Sequence, residues 1–149
     1  MSVSKLQIAA EEMMHTMRMH KSMIDARMRE IGIHRTQHRI LMRLAHYDKL
    51  PSQKELADML DITPAAVTGA IKQIEADGYI ERTLGQDNRY NEIRITEKGK
   101  AMVDKTKALF SEADALMFDG FTDEELDSYI SCFEKLQANM KKCNERNTF

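Results

Sequence analysis

Apolar residues return at intervals of three and four through most of the chain, and at intervals of two in only one place. Met13, Met17, Ile24, Met28 and Ile31, with His20 in line, form a seam that predicts a helix from about Ser4 to Glu30. Gly32 ends it, as glycine does just past a helix terminus. Ile40, Leu41, Leu44 and Ala45 predict a second helix from about Arg35 to Tyr47. Pro51 breaks that pattern, and Ser52 with Glu55 three residues on forms a capping box for a short helix from Gln53 to Leu60. Leu56, Ala57 and Leu60 are its inward residues. Asp61-Ile62-Thr63 turns the chain, Thr63 caps the next helix, and Pro64 occupies a first position that needs no N–H. Val67, Ala70, Ile71 and Ile74 give this helix an apolar face, and Gly78 stops it.

The period then shortens to two. "YIERTL" and "NEIRIT" read as short strands, with Ile93 and Ile95 alternating against Glu92 and Arg94. The polar, turn-rich "GQDNRY" between them predicts a hairpin with a projecting tip. From Thr96 to about Phe118 the helical spacing resumes through Val103, Thr106, Phe110, Ala113 and Met117. Gly120 breaks it, Thr122 and Glu125 form another capping box, and Leu126, Ile130, Phe133, Leu136 and Met140 line a final helix. The expected fold is mainly α with a small β-hairpin wing, an α+β arrangement. A helix–turn–helix core with a wing is flanked by long helices, and the expected division is 1–31, 32–100 and 101–149.

At 149 residues, with 42% hydrophobic and 31% charged, the chain has the composition of one folded domain or a small domain with appended helices. The start, "MSVSKLQIAAEEMM", has neither a basic leader nor an apolar core, and no run of about eighteen apolar residues occurs. Cys132 and Cys143 are eleven apart on one predicted helix and cannot bridge each other. These features predict a cytoplasmic protein without a membrane partner. Net charge is −2, unevenly spread: residues 1–50 hold nine Lys/Arg against five Asp/Glu, 51–100 seven against nine, and 101–149 six against ten. A nucleic-acid partner could not rest on a basic middle segment.

The outer flank of the helix beginning at Pro64 is unusual. Ala65, Ala66, Thr68, Gly69, Lys72 and Gln73 are small or hydrogen-bonding and carry one charge, where solvated flanks ordinarily carry several Glu and Lys. A helix this slim can enter the DNA major groove, about 12 Å wide, where Thr, Lys and Gln reach base edges. The preceding short helix would cross the backbone and set the angle. Arg89 at the hairpin tip is long enough for an adjacent minor groove, whose negative potential attracts arginine.

From about Gly32 to Met102 the chain resembles the MarR family of bacterial transcription regulators, which are winged helix–turn–helix dimers. The resemblance is carried by "QKELADMLDITPAAVTGAIKQIEADGYIERTLGQDNRYNEIRITEKG". Within it "ELA", "VT", "IE..GYIER", Asp87-Asn88-Arg89 and "IT.KG" fall in family order. It implies that Ala65, Ala66, Thr68 and Lys72 face the major groove and that Arg89 enters the minor groove, its guanidinium held by Asp87. Gly69 and Asn88 stand where many members carry basic residues, which implies weaker phosphate contact than is usual.

The long flanking helices have more apolar surface than the middle can cover, so a homodimer is expected, with two groove helices about 34 Å apart. The resemblance also implies a small apolar or aromatic effector bound where the dimer helices meet the DNA-binding lobe. Met13, Met17, His38, Met42 and Met102 are the candidate lining, since methionine adapts to varied ligands. His34 and His38, four apart, with His15 and His20 on the helix before, raise metal sensing as an alternative, although no Cys or carboxylate stands at comparable spacing. A winged helix that binds protein rather than DNA is the other. No glycine-rich phosphate loop, nucleophile elbow or clustered acid–base pair points to an enzyme, and no cofactor is implied.

Overall fold

Ser4 opens the first helix by accepting the Gln7 N–H, while the Gln7 side chain accepts the Ser4 N–H in return. In the computed structural model, which describes residues 3–46, 52–84 and 91–146, six helices and one hairpin follow. They are α1 (Lys5–Glu30), α2 (Arg35–His46), α3 (Gln53–Leu60), α4 (Pro64–Ala76), β1 (Ile80–Leu84), β2 (Asn91–Ile95), α5 (Glu97–Met117) and α6 (Asp123–Arg146). The expected mainly α fold with a hairpin wing is the fold observed. Tyr47, Pro51 and the hairpin tip, including Asp87 and Arg89, lie outside the described residues.

Predicted caps and turns within the described residues have physical counterparts. Ser52 and Glu55 cap α3 reciprocally, at 3.2 and 2.8 Å. Asp61 closes α3 in the left-handed region, φ 54°, which a short polar side chain tolerates better than most. Thr63 Oγ1 accepts the Ala66 N–H and Pro64 starts α4. Gly78, at φ 75°, follows the end of α4 where a Cβ would be strained.

The chain divides into two compact units, Met1–Ala113 and Asp114–Phe149. In the first, the core joins Ile24 and Met28 of α1, Ile40, Leu41 and Leu44 of α2, Leu56 and Ala57 of α3, Val67, Ile71 and Ile74 of α4, Ile80 of β1, and Met102, Val103, Leu109 and Ala113 of α5. Ala45, grouped above with the apolar positions of α2, is exposed. The hairpin is antiparallel, with Ile80 opposite Ile95 and Arg82 opposite Ile93. Thr96 ties it to α5: its N–H donates to the Tyr79 carbonyl at 3.0 Å, and its hydroxyl donates to the Gly78 carbonyl at 2.7 Å.

The second unit joins the last turn of α5, the turn at Gly120 and α6. Phe118, Phe121, Tyr129 and Phe133 form a chain of ring contacts, with centroids 4.6 to 5.6 Å apart. No described residue of α6 is buried, and Ile130 and Met140, expected on its apolar face, are about half exposed within the single chain. The spacing is that of an amphipathic helix, with Leu126, Phe133 and Leu136 half-buried along it. No helix among the described residues is long and apolar enough to cross a membrane.

Candidate nucleic-acid interface

The inner face of α4 is fixed by Val67, Ile71 and Ile74, each no more than 2% exposed, against α2 and α3. That packing decides what the other side presents. Ala65, Ala66, Gly69, Lys72 and Gln73 are exposed, and Thr68 is half-buried at the edge. Nothing lies within 4 Å of where a Gly69 Cβ would stand, so the flank has open space at its centre. Lys72 is the only cation of α4, and the helix's one acid, Glu75, is held by Arg82 at 3.1 Å. The Gln73 amide donates to Asp77 Oδ1 at 3.1 Å.

Thr68 brings in a residue that helical spacing within α4 could not reveal. Its hydroxyl lies 3.0 Å from both the Pro64 carbonyl and Gln53 Oε1, so the exposed Gln53 at the start of α3 stands beside the groove-facing flank. Once its oxygen accepts from Thr68, its amide N–H groups are left for a ligand. Two more neighbours come from α2 and the turn before it: His34 and Thr36 line the same cleft as Ala66, Gly69 and Gln73. Only tertiary packing brings α2 and α4 together here.

The five residues expected to line an effector site are dispersed in the single chain. His38 and Met102 are buried and Met42 packs against the core, whereas Met13 is half-buried and Met17 is 56% exposed on α1. The His38 ring lies 5.2 Å from that of Phe110, and its Nδ1 is buried without a hydrogen-bond partner. Burial, and secondarily the positive charge of Arg35, hold its pKa below the ordinary value near 6.5. The unfolded chain therefore takes up this proton more readily than the folded one. Stability from this group is complete above about pH 6.5 and is lost as pH falls toward the folded pKa. Denaturant unfolding is expected to show a lower midpoint at about pH 5.5 than at about pH 7.5, and His38→Met should reduce that difference. Equal differences in both proteins would remove His38 from the account.

His34 begins α2: its N–H donates to Gln37 Oε1 at 3.0 Å, and its carbonyl accepts the His38 N–H at 2.9 Å. Its side chain is exposed while that of His38 is buried in the core. No group of three or more His, Cys, Asp or Glu suited to a metal occurs among the described residues.

Comparison with known proteins places this geometry. The MarR family model matches residues 31–89, which include α2, α3, α4 and β1. The chain is similar in structure to a mutant of MepR from S. aureus, at 21% identity, covering 88% of this chain and 97% of that one, with a TM-score of 0.77. It is also similar to a MarR protein from Peptoclostridium difficile, at 24% identity, 95% and 94% coverage and a TM-score of 0.69. A MarR transcriptional regulator from Methanosarcina mazei matches at 26% identity, with 92% and 99% coverage and a TM-score of 0.68.

Proposed function

We propose, from the premise that this chain belongs to the MarR family of winged-helix transcription regulators, that it is a sequence-specific DNA-binding repressor acting in the cytoplasm as a homodimer. One observation carries the reading: α4 is anchored by three buried residues and leaves a nearly uncharged, unobstructed flank toward solvent. Ala65, Ala66, Thr68, Gly69, Lys72 and Gln73 would meet the major groove, with Gln53 beside them, and Arg89 would reach the minor groove with Asp87 beside it. A dimer seated across an operator would block other proteins from that DNA, which is repression in its simplest form.

The dimer is supported by exposed apolar side chains on both long flanking helices. Leu6, Ile8, Met14 and Met17 of α1 and Ile130 and Met140 of α6 are each about half or more exposed. Light scattering at micromolar concentration should give twice the mass of one chain; the mass of one chain would contradict the dimer. An apolar or aromatic effector would act through His38, Met42 and Met102, with Met13 and Met17 from the long helix, and the unpartnered His38 Nδ1 would supply a polar handle.

Fragments selected from random duplex DNA supply the probe. Arg89→Ala should weaken binding to nearly all duplexes alike, since a minor-groove arginine reads width more than sequence. Thr68→Ala and Lys72→Ala should instead change which fragments are preferred, by about 1–3 kcal/mol at the affected position. Unchanged affinity and preference in all three variants would mean that these residues do not form the interface.

A further inference from the structure

Two open clefts meet on the side of the molecule that carries the α4 flank. The larger, about 570 Å³, runs between α4 and the start of α2, with Gly69 and Gln73 on one wall and His34 and Thr36 on the other. The smaller, about 320 Å³, shares His34 and Thr36 and continues onto α1, where Lys21, Asp25 and Arg29 line it. Those three recur at intervals of four and so stand in one row along α1. Asp25 is neutralised by Arg35, whose Nε and Nη2 both lie 3.0 Å from its Oδ1. Lys21 and Arg29 are exposed and form no ion pair with another described residue. The strip therefore runs from a nearly uncharged helix flank to two uncompensated cations.

We propose, building on the DNA-binding reading above, that this strip seats one sugar–phosphate strand of the duplex, with Lys21 and Arg29 neutralising phosphates that α4 does not reach. Charge selects this occupant. The two cations attract a polyanion, and the junction residues His34 and Thr36 are hydrogen-bonding groups without negative charge. The carboxylate of Asp77, which lines the far side of the larger cleft, is engaged by the Gln73 amide. The strip also resolves the uneven charge of the chain. Residues 51–100 carry seven Lys/Arg against nine Asp/Glu, so the phosphate contacts must come largely from elsewhere, and residues 1–50 carry nine against five.

The test is a titration of a mixed-sequence duplex, followed by fluorescence anisotropy over a range of salt, with wild type, Lys21→Ala/Arg29→Ala and Lys107→Ala. Lys107 is an exposed lysine of α5 outside both clefts. The double variant is expected to bind on the order of tenfold more weakly at moderate salt, and its log–log salt slope should be shallower by about one per cation removed from each chain. Lys107→Ala should match wild type. Far-ultraviolet circular dichroism and thermal unfolding check that the double variant is folded, as expected for two exposed side chains. If wild type binds duplex with a steep slope and the double variant keeps both affinity and slope, the strip is not a phosphate seat, although the DNA reading stands. If the double variant loses affinity but keeps the wild-type slope, the two residues do not neutralise phosphates and the proposal is overturned. If wild type binds no duplex at any salt, both readings fail together.

Discussion

Gly99→Ala is expected to lower the unfolding free energy by about 3 kcal/mol, the upper part of the usual range for overpacking. A Cβ at this position would run into the Tyr79 carbonyl oxygen, a backbone atom that cannot rotate away and that already accepts the Thr96 N–H. The Ile95 side chain stands in the same space, 2.7 Å from the ideal Cβ position. Relief would require the start of α5 to move off the hairpin, breaking the Thr96 contacts that join β2, Gly78 and α5. Urea unfolding followed by circular dichroism measures the effect. A midpoint unchanged from wild type would show that the α5–hairpin junction yields more readily than its backbone contacts imply.

Gly69→Phe should do the reverse: keep the fold and abolish recognition. No atom lies within 4 Å of a Cβ there, the backbone is helical, and glycine is itself a poor helix former by about 1 kcal/mol relative to alanine. The variant should therefore unfold no more easily than wild type. A benzyl group in the centre of the slim flank would hold α4 away from the groove floor and separate Thr68, Lys72 and Gln73 from base edges. Loss of the specific contacts should cost on the order of a hundredfold or more in affinity for selected fragments, while weak, salt-dependent binding to any duplex persists. Retained selectivity in a folded Gly69→Phe protein would mean that the open flank is not the reading surface.

The contrast between these glycines marks what the sequence reveals and what it withholds. Gly69 is conspicuous in sequence because its neighbours on the helix turn are known from the 3.6-residue period. Gly99 ends the "IT.KG" run, but helical spacing gives no reason for a glycine there, since the carbonyl that excludes a side chain comes from Tyr79, far earlier in the chain. The same division runs through the whole molecule. Caps at Ser52, Thr63 and Thr122 are legible because their partners are three residues away. The helix–turn–helix, the wing strands and the exposed α4 flank follow from such local rules. Gln53 beside Thr68, and the cleft joining α4 to His34 and Thr36, are set by the approach of separate helices, which the periodicity of either helix does not encode. The methionine seam behaves likewise. Spacing groups Met13 and Met17 with Ile24 and Met28, but only the last two are buried, and the period alone does not say where along α1 the core begins.

The central claim is that the flank of α4 lies against DNA in a paired arrangement, and tethered cleavage tests it most directly. With the exposed Cys132 and Cys143 replaced by serine, Gly69→Cys can carry an iron chelate that cuts nearby deoxyribose. On a selected fragment the account predicts two clusters of cuts, one for each subunit, separated by about one helical turn of roughly 34 Å. Cleavage spread evenly along the duplex, or no stronger than that of the free chelate, would contradict it.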